Sequence, residues 1–444
     1  MKTPSCFIIY SFILFLITGV LGEHHSNNVK PIALKSKPLT GKFLHITDIH
    51  LDPNYLVGSD PKKLCHRKSK KAHKNTAGKF GALNTECDSP LSLVNASFQF
   101  MKNSLQDIDF ILYTGDTARH DRDKKLPRTG ADVLEDHKAV IHLFIKTFDV
   151  NSIKLIPTIG NNDGIQHNDF TFNTSIYNSL QSIWEPLGLN LSETFHSGGY
   201  FIQDQVVPGL RVINTNSMFF FKKNHIVTDC NEASSPGAIE LIWLKQALEQ
   251  AKDDNVMVYV MGHVPPNDDD DSPLFMPTCL DQYYQILGEY GDIILGHFTG
   301  HTNNDVLTAV VPKGNSFGHV TAMANNNELS QIRANHVSTV LFNAPSIIPV
   351  NNPAIRVYRY ETSKTKENPV GTILDWTQYY VDLDKANYED SVQYEIEYQA
   401  SKLYGVNRFD GQGISQAFKQ LRVNKNSRRL YSQYVTVSSQ SDSV

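Results

Sequence analysis

Phe43-Leu44-His45-Ile46-Thr47-Asp48-Ile49-His50 is a strand-like run that ends on two metal-ligand side chains, Asp48 and His50. The same juxtaposition recurs four times along the chain. Residues 110–114 lead into Gly115-Asp116, residues 155–159 into Gly160-Asn161-Asn162-Asp163, and residues 256–261 into Gly262-His263. Residues 293–295 are followed by Gly300-His301-Thr302-Asn303. Short apolar runs closed by glycine and polar residues read as buried strands. Side chains at the carboxyl ends of such strands converge on one crevice while the strands hold them still. A lone D-x-H arises by chance in many chains, but five ligand-bearing strand ends in sequence do not.

Between these runs lie amphipathic helical stretches. Ser89-Pro90 predicts a helix start, with Ser89 as N-cap and Pro90 at the first helical position. The stripe Leu91, Val94, Phe98 and Met101 then follows. Further helices are expected over residues 131–148 and 238–251. Strands alternating with helices from residue 41 to about 305 predict an α/β fold with a partly parallel sheet. Residues 337–342, 354–360 and 376–381 are β-rich and read as more sheet in the same domain, which is expected to span 41–385. A C-terminal helical extension is expected over 386–424 and a frayed polar tail over 425–444.

The chain has 444 residues and a formal net charge of −5, so nothing global points to nucleic acid. Lys2, the apolar stretch 7–21 and Gly22 read as a secretory signal over residues 1–22, or as an uncleaved anchor, the one route expected to membrane contact. Residues 23–40 read as a flexible lead-in. Cys6 would leave with the signal, and Cys65, Cys87, Cys230 and Cys279 remain, an even number suited to two disulfides. Of the three possible connectivities, Cys65–Cys87 and Cys230–Cys279 are favoured, each closing a loop beside the ligand clusters. Sequons at Asn95, Asn173 and Asn190 fit a glycosylated lumenal or secreted chain.

Carboxylate and amide oxygens mixed with imidazoles form a donor set for two divalent ions. Such a pair binds phosphoryl oxygens and acidifies a water between them. The motifs resemble those of the calcineurin-like metallophosphoesterases: D-x-H, then G-D, then G-N-H-D/E, a lone His, and G-H-x-H. The resemblance implies a four-layer αββα sandwich of two mixed β-sheets. It also implies that Asp48 and His50 hold the first metal, that Asp116 bridges both, and that Asn161, His263 and His301 hold the second. The ions would be drawn from Mn, Mg, Co, Zn or Fe. This chain departs from the pattern at Asn162 and Asn303, each standing where the family has His. Asn303 can offer the first metal an amide oxygen, which favours harder ions over zinc. The resemblance keeps Asn162 as a candidate catalytic residue at the phosphoryl-contacting position, and the proton-donating role of the missing His is expected to fall to His120, four residues after Asp116, a spacing found in the acid-sphingomyelinase-like branch. His297 and His45 lie near the motifs but read as strand histidines, and His167 is a candidate for the substrate groove.

Local charge narrows the substrate. Lys62, Lys63, Arg67, Lys68, Lys70, Lys71, Lys74 and Lys79 crowd one stretch, and Arg119, Arg122, Lys124, Lys125 and Arg128 follow Asp116. Two basic clusters bracketing metal ligands suggest a long polyanion, with Arg119, Arg122 and Arg128 as contacts. Cys65-His66, Lys79-Phe80-Gly81, Cys87-Asp88-Ser89-Pro90, Arg119-His120-Asp121-Arg122-Asp123 and Gly262-His263-Val264-Pro265-Pro266 resemble the fungal endopolyphosphatases. Both Asn departures are shared with that group. The resemblance implies hydrolysis of internal phosphoanhydride bonds of inorganic polyphosphate by a metal-bridging hydroxide, in the vacuole lumen or outside the cell. The acidic run from Asp268 to Asp271 cuts against a polyanion and is expected to point away. The rival reading is an acid-sphingomyelinase-like phosphodiesterase acting on lipid headgroups or nucleotides. A non-catalytic metal or phosphate binder is a third.

Overall fold

A computed structural model describes residues 40–439. The expected signal, most of the lead-in and the last five residues of the chain lie outside the described residues.

Thr40–Ile46, Phe110–Tyr113 and Lys154–Pro157 run parallel in a six-stranded sheet. Ala354–Glu361, Ile373–Tyr380 and Glu395–Gln399 extend it antiparallel on the far side of the first strand. A second sheet of seven strands has Leu210–Asn214, Met257–Met261, Ile294–Thr299 and Thr339–Asn343 in parallel at its centre. Phe201–Val207 borders it on one side, and Val306–Lys313 with Ser316–Thr321 on the other, all antiparallel. The central strands are buried on both faces, which is why they read as unbroken apolar runs rather than alternating ones.

The two sheets meet through aromatic rings. Phe43 stacks between Phe110 and Tyr358, with ring centroids 4.8 and 4.7 Å away, and touches Tyr259 and Phe298 of the other sheet, both at 5.5 Å. Leu91–Ser104 and Gly130–Thr147 cover the outer face of the first sheet, where Phe144 packs on Phe98 and Tyr113. Pro236–Asp253 and Pro277–Glu289 pack on the second. The result is the four-layer sandwich with two mixed sheets.

The helices start where local chemistry dictates. Thr129 and Asp132 form a reciprocal capping box ahead of Gly130–Thr147, and Ser235 caps Pro236–Asp253 with proline at the first position. The first helix begins one residue later than the sequence suggests. Ser89 is drawn into a short parallel pairing with Leu51, and its N–H donates to the carbonyl of His50, so Pro90 takes the cap position.

Two expectations at the C-terminus are corrected. The stretch 386–424 is not wholly helical, because Glu395–Gln399 closes the edge of the first sheet. The tail is not frayed from residue 425: Lys425–Val435 is a helix that buries Ser427, Tyr431 and Val435 at four-residue spacing. Its polar composition hid that narrow stripe. Both disulfides form as favoured, and Asn95, Asn173 and Asn190 are all exposed.

Phe43→Ala removes the ring that joins the sheets, and is expected to lower unfolding free energy by about 3–5 kcal/mol in chemical denaturation.

Candidate metal centre

Past their last paired residues, the first strands remain laced together. The N–H groups of Asp48, His50 and Leu51 donate to the carbonyls of Gly115, Asp116 and Thr117 at 2.9, 3.0 and 2.9 Å. This ladder sets Asp48, His50 and Asp116 side by side. Asp48, His50, Asp116, His301 and Asn303 all adopt left-handed backbone, with φ between 43° and 71°. The strands ending before Asp48, Asp116 and His301 therefore turn sharply at these residues, whose side chains point into the crevice. Glycine makes the close approaches possible: a Cβ on Gly160 would strike Asp116, and one on Gly300 would strike Thr47 and Asp48.

Two ligand triads result, Asp48–His50–Asp116 and Asp116–His263–His301, with the donor atoms of each triad within 4.8 Å of one another and Asp116 common to both. Asn161 joins the second, its Oδ1 lying 3.0 Å from His263 Nε2 and 2.8 Å from His301 Nδ1. The His50 and His263 rings are turned by backbone: Nδ1 of each faces a carbonyl, Ala118 at 3.0 Å and Thr114 at 2.7 Å. A proton on Nδ1 leaves Nε2 as the ligating atom, a usual arrangement around metals. Asp48 is fixed by the N–H of His301 at 2.9 Å and the hydroxyl of Thr47 at 2.6 Å.

The charge of this cluster calls for cations. Burial opposes charge on His50 and His263, yet Asp116, with Asp48, more than offsets it and pushes them up to about 10 and about 9. Burial wins at His301, which is pushed down to about 3. The side-chain oxygens of Asn303 and Asn162 are buried and, among the described residues, have no hydrogen-bond partner. Shared carboxylate, oriented imidazoles and a free amide oxygen at Asn303 fit a dinuclear centre.

His120 adjoins it. Its ring stacks on His50 with centroids 4.2 Å apart, and the Asp88 carboxylate takes its Nδ1 at 2.6 Å and its backbone N–H at 2.9 Å. Burial pushes His120 down to about 4, with Asp88 opposing and His50 adding to the fall. Asn162 donates from its backbone and its amide to the two oxygens of Asp116, at 2.7 and 2.8 Å. His167 accepts from the Asn161 amide at 2.9 Å and is exposed at the rim. Arg122 is exposed, and its charge reaches both His120 and His167.

Two expected substrate contacts are corrected. Arg119 and Arg128 are 1% and 7% exposed and turn inward. The Arg119 guanidinium donates to the carbonyls of His120 and Leu126, and that of Arg128 to those of Arg119, Asn162 and Gly164. They brace the loop that carries His120. The strand after residue 293 runs on to Thr299, so His297 is a sheet residue whose Nε2 meets the Tyr283 hydroxyl. His45 likewise faces Thr114 inside the first sheet.

The sequence reading gave no role to Asp88 or Asp163. Asp88 follows the disulfide residue Cys87, and that adjacency was its signal. Asp163 closes the Gly160–Asp163 turn, and its buried carboxylate accepts the N–H groups of Asp116, Thr117 and Gly160 at 3.0, 2.8 and 2.8 Å. The acidic run does not simply point away: Asp269 accepts from the Asn304 amide and Asp271 pairs with His319.

Residues 41–304 match the calcineurin-like phosphoesterase family, and residues 330–444 match the acid sphingomyelin phosphodiesterase C-terminal region. An endopolyphosphatase of Cryptococcus neoformans is 32% identical over 68% of this chain and 49% of its own length. One of Saccharomyces cerevisiae is 35% identical over 61% of this chain and 41% of its own. The chain thus spans about half the length, or less, of these fungal relatives. A human cyclic GMP-AMP phosphodiesterase is 28% identical over 87% of this chain and 80% of its own length. With its motif residues gathered around a shared Asp116 and more than half its length matched, this chain belongs to the calcineurin-like phosphoesterase family.

Proposed function

We propose that this chain is a metal-dependent hydrolase that cuts internal phosphoanhydride bonds of inorganic polyphosphate. The observation that carries the reading is His120, stacked on His50 and held by Asp88, beside two ligand triads that share Asp116. Kinship to endopolyphosphatases supports the substrate.

Asp48, His50, Asp116 and Asn303 would hold one divalent ion, and Asp116, Asn161, His263 and His301 the other. When bound, such a pair neutralises phosphoryl charge and lowers the pKa of water enough to supply a nucleophile at moderate pH. The remaining work falls to side chains of this chain. Arg122, exposed at the rim, offsets the charge of a flanking phosphate. Asp88 fixes the His120 ring through Nδ1, leaving Nε2 to pass a proton to the departing phosphate. His120 donates only in its protonated form, which the negative charge of bound phosphates favours. Asn162 anchors Asp116 instead of serving as the acid. The two disulfides and three exposed sequons support a secretory-pathway location, in the vacuole lumen or outside the cell.

A second reading has two findings in its favour. The match of residues 330–444 to the acid sphingomyelin phosphodiesterase region, together with the near full-length human relative, favours a phosphodiester substrate.

Long-chain polyphosphate incubated with the manganese-loaded protein and followed on a gel decides between them. Intermediate-length fragments are expected before free phosphate. An unchanged ladder, with turnover of cyclic dinucleotides instead, would transfer the assignment to the second reading. Elemental analysis is expected to find about two divalent ions per chain, and Asp116→Asn, which alters the shared ligand, to lose both. His120→Ala is expected to slow polyphosphate cleavage by about 10²–10⁴-fold with metal content unchanged. The same variant should lose far less on a p-nitrophenyl diester, whose leaving group needs no proton.

A further inference from the structure

The loop from Gly58 to Ala77 is closed on itself: the Gly58 N–H donates to Ala77 at 2.7 Å and the Ala77 N–H to Ser59 at 3.1 Å. Ser69 and Asn75 bond each other across its tip, through the Ser69 N–H at 2.6 Å and the Asn75 amide at 3.1 Å. Between Asp60 and Glu86 the sequence has no carboxylate, while it has eight Lys and Arg side chains. Three of these are engaged: Arg67 with Asp123, Lys79 with Asp390, and Lys63 with the carbonyl of Lys68. Lys62, Lys68, Lys70, Lys71 and Lys74 are exposed, and among the described residues their ammonium groups have no partner. Five like charges held on one closed loop repel one another, which a fold gains nothing from.

This loop is bolted to the metal centre at three points. His66 lies between Asp52 at 2.9 Å and Asp123 at 2.7 Å, Asp52 being two residues from His50 and Asp123 three from His120. Arg67 grips both oxygens of Asp123. Cys65 is disulfide-bonded to Cys87, the neighbour of Asp88. The carboxylates that meet the loop are thereby buried and spent inward, and the outward charge left on it is positive. Arg122, Lys124 and Lys125, all exposed, continue that charge along the loop that carries His120.

We infer that Lys62, Lys68, Lys70, Lys71 and Lys74 form a second binding site, which grips the polyphosphate chain at a distance from the bond being cut. A chain held there and at the metal centre together presents an internal bond rather than its end. This rests on the polyphosphate reading above, and accounts for cleavage within the chain. Attraction of this kind acts through long-range charge and is screened by salt within about 10 Å at 0.1 M.

The test replaces all five lysines with glutamine in the full-length, manganese-loaded protein. The KM for long-chain polyphosphate is expected to rise roughly tenfold, with kcat retained and a shallower dependence of KM on salt. Turnover of bis(p-nitrophenyl) phosphate, too short to reach the loop, should match the wild type. A wild-type KM for long chains in the variant would overturn the inference and leave the polyphosphate reading standing. If the wild type cleaves no polyphosphate, that reading falls by itself. Equilibrium binding of long polyphosphate to wild type and variant then judges the loop separately, and equal affinity overturns the inference. Loss of binding to phosphatidylserine vesicles with an unchanged KM for polyphosphate would also overturn it, in favour of a membrane surface.

Discussion

Asp163 is fully buried, and its two oxygens accept the backbone N–H groups of Asp116, Thr117 and Gly160 while His137 Nε2 stands 3.1 Å away. Burial alone would push this carboxyl up, but His137 and the ring of N–H donors hold it below its ordinary range. A charged carboxylate in that position ties the turn after the second parallel strand to the turn after the third. Without it three buried N–H groups would lose their partner, at about 1–3 kcal/mol each. Asp116 is the ligand common to both triads, so whatever sets its backbone sets the whole centre. Asn162, one residue before Asp163, then takes hold of the Asp116 side chain.

The last of the candidate ligand turns is braced differently, by the C-terminal part of the chain. Asp305, two residues past Asn303, forms an ion pair at 2.6 Å with Arg356, and both side chains are almost wholly buried. Tyr398 donates its hydroxyl to the same carboxylate, and the Asp305 N–H donates to Val435 at 2.9 Å. Asn351 reaches the Asn303 carbonyl from the other side at 2.9 Å. Breaking a buried pair of this kind by removing one partner costs about 3–5 kcal/mol. The C-terminal strands and helices are thus a buttress for Gly300–Asp305, which gives the match over residues 330–444 a physical meaning in this molecule.

Where a residue's neighbours in sequence determine its fate, the sequence was easy to read. The parallel strands, the long helices and the strand-end ligands all fall in that class, since hydrophobic period and turn chemistry are local. The two disulfides also emerged, from their loops. What stayed hidden depended on contacts between distant segments. Arg119 and Arg128 look like surface cations in a basic stretch, and only the folded loop shows the carbonyls that claim them. Asp88 is one carboxylate among many until Cys87 brings it to His120. The helix Lys425–Val435 is polar by composition, and its single stripe is meaningful only against Leu307, whose N–H finds the Tyr431 hydroxyl at 3.3 Å.

The left-handed backbone at Asp48, His50, Asp116, His301 and Asn303 restricts the future of this site as well as its present. Outside glycine, that conformation is adopted most readily by Asn, Asp and His. Those are also the side chains that ligate hard and borderline divalent ions. The residues that the main chain accepts and the residues that a metal accepts are therefore nearly the same short alphabet. Exchange within it, such as Asn for His at position 303, can retune which ion is preferred while leaving the turn unstrained. Mutational drift at this centre has a path between metals that never passes through a broken fold.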